Sequence, residues 1–152
     1  MEAIIFIGIQ AAGKTSFYRE YLFNTHIRIN LDMLKTRRRE QILLQACLTA
    51  KQPFVVDNTN GLSADRARYI ALAKPAGFRV VGYYFRADLQ AALQRNSQRT
   101  GKAAVPPQAI LSTYKRLQLP HLAEGFDQLF YVSLDKANEF KVQEWKDIVP
   151  SG

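Results

Sequence analysis

Gly8-Ile9-Gln10-Ala11-Ala12-Gly13-Lys14-Thr15 matches the pattern G-x-x-x-x-G-K-[ST] in full, and no other stretch restricts the possible fold as tightly. Before it, Ala3-Ile4-Ile5-Phe6-Ile7 is an apolar run of strand length. After it, residues 16–23 have the spacing of an amphipathic helix. A strand, a glycine-rich loop and a helix in that order form a phosphate cradle. The glycines let the backbone pass close to a polyphosphate, with successive N–H groups and the positive end of the helix aimed at it. Lys14 is then expected to reach the terminal phosphates and the Thr15 hydroxyl to hold Mg²⁺. The pattern predicts a nucleoside triphosphate site.

Composition narrows the setting. A chain of 152 residues, 47% of them hydrophobic, suits one domain around a single core, so residues 1–152 are expected to form one unit. The first apolar run is too short for a signal peptide, and no stretch approaches the roughly 20 residues of a membrane span. Cys47 is the lone cysteine. That excludes an internal disulfide and a Cys-based zinc cluster, and fits a reducing, cytoplasmic setting without a membrane partner. The net charge of +8 is uneven: residues 1–123 hold 18 Lys and Arg against 7 Asp and Glu, and residues 124–152 hold 3 against 6. A basic body suits a polyanionic ligand, either nucleotide or nucleic acid.

Along the chain, Ile27-Arg28-Ile29-Asn30 alternates like a short strand and runs into Leu31-Asp32. Asp32 then lies just past the carboxyl end of a second parallel strand, where open α/β sheets bind ligands. A continuous helix is expected over residues 33–50, basic at Lys35 and Arg37-Arg38-Arg39 and apolar at Ile42, Leu43, Ala46 and Cys47. Residues 53–57 read as a third strand closed by Asp57, the pattern of a second acidic element near Mg²⁺. After the turn Asn58-Thr59-Asn60-Gly61, Ser63 is the expected N-cap of a helix that Pro75 and Gly77 end. Residues 78–85 form a β-branched and aromatic fourth strand. Asp88 is placed to cap a helix over 89–98 with Leu89, Ala92, Leu93 and Asn96 inward, and a basic segment follows. Pro106-Pro107 opens another helix, with Ile110, Leu111, Tyr114 and Leu117 inward. Residues 128–132 read as a fifth strand, and the tail with Phe140, Val142, Trp145 and Ile148 fits a strand or a loop. Strands alternating with helices predict an α/β sandwich: a five-stranded parallel sheet with helices on both faces.

A phosphate loop alone does not separate kinases from motors or GTPases. The Asn-Lys-x-Asp signature that reads guanine is absent, and the chain is short. What remains is the pattern of a small phosphotransferase. In-line transfer needs an acceptor hydroxyl near the γ-phosphate, a carboxylate to take its proton and cations to match the moving charge. Asp32 is the best-placed carboxylate and Arg99 the best candidate cation, with Arg95 one helical turn away. Arg37-Arg38-Arg39 reads first as a solvated helix face, with a substrate role as the lesser reading.

These residues resemble those of the 5′-hydroxyl polynucleotide kinases, including the phage and animal members, from Ile4 to about Leu134. Gly8–Ser16 is similar to their phosphate loop, which implies ATP contacts from Gly8, Gln10, Ala11, Ala12, Gly13, Lys14, Thr15 and Ser16. Residues 28–32 resemble the segment whose aspartate is the general base, here Asp32. Asp57-Asn58-Thr59-Asn60 is similar to the family's Asp-x-Thr-Asn signature. Arg95-Asn96-Ser97-Gln98-Arg99, with Lys102 and Val105-Pro106, resembles the lid at about 95–105, implying that Arg95 and Arg99 engage the ATP phosphates. Residues 122–126 are similar to a stretch of the animal enzymes. The resemblance implies a P-loop kinase-like three-layer sandwich with a basic lid, ATP and Mg²⁺ as cofactors, and Mg²⁺ placed by Thr15 with Asp57 through water. It also implies 5′ ends of nucleic acid as partners in repair, met by Lys35, Arg38, Asp57, Thr59 and Asn60.

In two respects the chain departs from the phage members: the helix between Asp32 and Asp57 is shorter, which is expected to reshape the acceptor channel, and one acceptor contact differs. They carry an arginine three residues after the base, holding an acceptor phosphate and supported by the acid at the Asp57 position; here that residue is Lys35, which keeps the charge and loses the bidentate fork. The expected activity is transfer of the γ-phosphate of ATP to a DNA or RNA 5′-hydroxyl. The alternatives are a small hydroxylated acceptor (nucleoside, sugar or antibiotic) or an ATP-binding subunit that needs a partner.

Overall fold

Side chains of the first strand, β1 (Glu2–Ile7), go alternately to two cores. Ala3, Ile5 and Ile7 join one buried cluster, and Ile4 and Phe6 join the other. A strand covered on both faces has no solvent side to make polar, which explains the unbroken apolar run. The computed structural model describes residues 1–101 and 104–145. Lys102 of the expected lid and Ile148 of the tail lie outside them.

The remaining strands are β2 (Ile27–Ile29), β3 (Phe54–Val56), β4 (Arg79–Phe85), β5 (Gln128–Leu134) and β6 (Phe140–Glu144). They form one sheet in the order β2-β3-β1-β4-β5-β6. All neighbours run parallel except β5 and β6, which pair antiparallel from Phe130 opposite Glu144 to Leu134 opposite Phe140. The sheet therefore has six strands, where the sequence predicts five. The tail supplies the sixth as an edge strand that is exposed along most of its length. Trp145 finishes it, with its N–H on the Leu129 carbonyl and its ring 5.6 Å from that of Tyr84.

Helix α1 (Lys14–Phe17) leaves the phosphate loop and continues as a π-helical turn over Tyr18–Leu22. Phe17 anchors it, with ring centroids 5.8 Å from Phe6, 5.4 Å from Phe85 and 5.2 Å from Phe140. Burying such a ring contributes about 1.5–3 kcal/mol relative to leaving it in water. The other helices are α2 (Leu31–Leu34), α3 (Arg37–Ala50), α4 (Ser63–Ala73), α5 (Leu89–Ser97) and α6 (Pro107–Arg116). Residues of α3 and α4 fill the cluster on one face of the sheet, and residues of α1, α5 and α6 the cluster on the other.

Several local expectations are corrected. The helix expected over 33–50 is two helices, because Lys35 takes φ 75° and Thr36 turns to cap α3, accepting from the Arg39 N–H. Ser63 is not the cap of α4; Leu62 holds that place, and the Asp65 carboxylate accepts its N–H at 3.2 Å. Tyr114, read as inward, is exposed, as are Ile42 and Ala46 of the apolar series, while Ile110 is fully buried. Asp88 does cap α5, accepting from Ala91 N–H at 3.1 Å.

Candidate active site at the phosphate loop

The loop Gly8–Gly13 is suspended between β1 and α1, and its shape follows from its small residues. The Gly8 N–H donates to the Thr59 carbonyl at 2.9 Å. A Cβ on Gly8 would stand 3.1 Å from that of Phe85, a tight approach that leaves little room for a side chain at the strand end. Gly13 has φ 99°, a left-handed conformation that costs glycine nothing. Ala11 is also left-handed at φ 63°, a strained position for an alanine at the crest of the loop.

Lys14 is buried, and its ammonium donates to the loop's own carbonyls, Gly8 O at 2.7 Å and Ile9 O at 2.8 Å. Burial pushes its pKa down to about 8. Asp57 and Asp32 pull upward and Arg99 pushes further down, so all three act on the lysine's charge. Arg95 donates its Nε–H to the Ala11 carbonyl at 2.7 Å, and Gln10 donates to the Thr113 hydroxyl at 3.1 Å. Both helices that flank the expected lid, α5 and α6, are thus tied to the phosphate loop. Ser16 and Arg99 are exposed; Ala12 is buried in the loop wall.

Asp57, at the end of β3, is only 2% exposed. Its Oδ2 accepts from the Thr15 hydroxyl at 3.1 Å and from Arg28 Nε at 2.7 Å, while Arg28 Nη2 reaches Thr15 Oγ1 at 3.4 Å. Thr15 and Asp57 are hard oxygen donors at the mouth of the loop, a pair that fits Mg²⁺. Among the described residues no group of three or more His, Cys, Asp or Glu forms a self-contained metal cage. A metal here needs oxygens from phosphate and water as well.

On the opposite wall, Asn30 caps α2, accepting from the Met33 N–H at 2.9 Å. Asp32, in the first turn of that helix, is therefore not spent on capping, and it is exposed. Lys35 is exposed at the end of the same turn and does not reach Asp57, whose ion-pair partner is Arg28. The three arginines diverge. Arg37 donates to Glu40 at 2.9 Å and to the Tyr69 hydroxyl at 3.1 Å, and Arg39 donates to the Leu34 carbonyl at 3.2 Å. Arg38 lies on the outer face of α3 beside Gln41 and Ile42. Thr59 and Asn60 belong to the frame of the loop. Asn60 is buried and gives its amide N–H to the Phe6 carbonyl at 2.8 Å.

Sequence reasoning missed Arg28, which looked like the polar position of an alternating strand. It also missed the buried Glu40, which accepts from the Tyr69 hydroxyl at 3.0 Å and from Asn58 at 3.4 Å. Asn58 in turn accepts the Leu31 N–H at 3.0 Å, one residue before Asp32. Missed too was a cleft of about 150 Å³ beside the loop, walled by Ala12, Phe85, Arg86, Arg95, Ser133 and Asn138 among others.

A family model described as an AAA domain matches residues 4–120, most of the chain, including the phosphate loop, Arg28, Asp32, Asp57, Arg95 and Arg99. The chain belongs to that family. As an AAA-domain chain it has the P-loop kinase-like fold, a mostly parallel sheet with helices on both faces. A gluconokinase from Sinorhizobium meliloti 1021 superposes with TM-score 0.59 at 18% identity, over 87% of this chain and 82% of the other. Kti12 of Chaetomium thermophilum, solved with ADP-AlF3, gives TM-score 0.63 at 16% identity, over 90% and 92%. A sugar kinase from Janibacter sp. HTCC2649 gives 0.63 at 15%, over 88% and 85%. No helix among the described residues of this AAA-domain chain is long and apolar enough to cross a membrane.

Proposed function

We propose that this protein is an ATP-dependent phosphotransferase whose acceptor is a small hydroxylated molecule. The observation that carries the choice of acceptor is the pairing of Asp57 with Arg28 while Lys35 stays apart. The phage polynucleotide kinases that the sequence resembles carry a phosphate-holding arginine three residues after the base, backed by that acid. Here the acid is engaged elsewhere, and Arg37 and Arg39 hold internal partners. Neighbours of the same fold include a gluconokinase and a sugar kinase.

In this reading the loop N–H groups and Lys14 take the donor phosphates, the ammonium leaving Gly8 and Ile9 to do so. Arg95 and Arg99 close from the lid side. Thr15 and Asp57 would hold Mg²⁺, which when bound offsets phosphate charge. Asp32 accepts the acceptor's hydroxyl proton as the new O–P bond forms and the bond from the γ-phosphorus to the bridging oxygen breaks. The cleft along Phe85, Arg86 and Asn138 suits the nucleoside end of the donor.

The second reading is a 5′-hydroxyl kinase of nucleic acid ends. It is favoured by the sequence resemblance and by the net charge of +8. The experiment is transfer of labelled γ-phosphate from ATP·Mg²⁺ to sugars, nucleosides and a 5′-OH oligonucleotide. Label on a small acceptor supports the first reading. Label on the oligonucleotide alone, falling steeply with salt, replaces it with the second.

A further inference from the structure

Arg28, Asp57 and Thr15 form a closed triangle around one oxygen. Asp57 Oδ2 accepts from both Arg28 Nε, at 2.7 Å, and the Thr15 hydroxyl, at 3.1 Å, and Arg28 Nη2 closes the third side at 3.4 Å. Asp57 is almost wholly buried, while the Arg28 side chain keeps 23% of its surface. A buried carboxylate needs a compensating charge, and here the protein supplies its own. The guanidinium stands over the two groups that would hold the metal. It uses a lone pair of the Thr15 hydroxyl that a metal needs, and it neutralises the charge that would attract one.

We propose that Arg28 is the resident counter-cation of the metal site and sets its metal dependence: it supports nucleotide binding without Mg²⁺ and opposes the entry of Mg²⁺ with nucleotide. The inference rests on the nucleotide-binding reading of the loop and is independent of which acceptor is used. The physical reason is charge. With Arg28 on Asp57 the pair is neutral, and a dication arriving beside it meets a positive guanidinium within a few ångströms at low dielectric. The metal binds when the guanidinium withdraws toward solvent, which its partial exposure permits. Arg28 sits on β2, the edge strand of the sheet, and among the described residues no outer strand blocks that movement.

The test is calorimetric titration of ATP, with EDTA and across a Mg²⁺ series, into wild type, Arg28→Met and Arg28→Lys. The expected result has opposite signs. Arg28→Met weakens metal-free ATP binding and lowers the Mg²⁺ concentration for half-maximal effect, each by about tenfold, within the range of coupled sites. Arg28→Lys keeps the charge but lacks the fork that spans Asp57 and Thr15, so it shifts the Mg²⁺ requirement the same way and less. It also provides the readout if the methionine variant does not fold. Merely structural damage would weaken binding in both conditions together, and that result overturns the proposal, as does an unchanged Mg²⁺ requirement in both variants. A wild-type chain that binds ATP under no metal condition overturns the phosphotransfer reading as well, so the two failures are distinguishable.

Discussion

Arg95 donates its Nε–H to the carbonyl of Ala11 at 2.7 Å, clamping helix α5 to the strained crest of the phosphate loop. Two segments 84 residues apart in sequence are held as one body at the point where donor phosphates would sit. Burial lowers the Arg95 pKa, and the guanidinium remains charged at any physiological pH.

Removing that clamp should loosen the loop and take away a phosphate cation. For Arg95→Met the expected loss in ATP affinity is about tenfold or more, the size of a charge-assisted hydrogen bond. Calorimetry measures it. Affinity within twofold of wild type would mean the arginine only braces the helix.

Lys14 gives a pH signature. Burial pushes its pKa in the folded chain down to about 8, from the 10.5 of an ordinary lysine. Between those values the unfolded chain holds more protons, so stability rises as pH climbs from about 8 toward 10.5, by at most about 3 kcal/mol. Phosphates beside the ammonium restore its proton. ATP binding near pH 9 should therefore take up close to one proton, binding at pH 7 none, and affinity should fall as pH rises above about 8. Titration in two buffers of different ionisation enthalpy reads the proton count, and Lys14→Met should abolish the difference.

Arg66 makes a separate stability prediction. It is fully buried and donates to both Glu124 carboxylate oxygens, at 2.8 and 3.0 Å, and to the carbonyls of Asn60 and Gln118. Through Glu124, the stretch Leu122–Gly125 serves as an anchor for α4. Arg66→Met leaves several acceptors unmatched and should cost about 3 kcal/mol in urea unfolding. A cost below 0.5 kcal/mol would contradict the anchoring role.

The phosphate loop and the first five strands are legible in sequence because each leaves a local signal: a spaced Gly-Lys-Thr pattern, a short apolar run, or, for β2, apolar and polar residues in alternation. β6 is not. Its residues are exposed apart from Phe140, so its place comes from pairing with β5 and from Phe140 meeting Phe17, contacts that no local period reveals. The break between α2 and α3 was hidden because a lysine, not a glycine or proline, takes the left-handed turn at Lys35. Arg28 was hidden for a different reason. Its partner Asp57 lies 29 residues away, and only the pairing of β2 with β3 brings the two together.

The most direct measurement is γ-phosphate transfer by wild type and Asp32→Asn, with ATP binding followed in parallel. Asp32 is exposed on a capped turn, with its charge felt at Lys14. The account expects wild type to label a small hydroxylated acceptor, and Asp32→Asn to bind ATP normally while transfer falls by about 10²–10⁴-fold. Transfer undiminished in Asp32→Asn, or tight ATP binding with label on no acceptor, would contradict it.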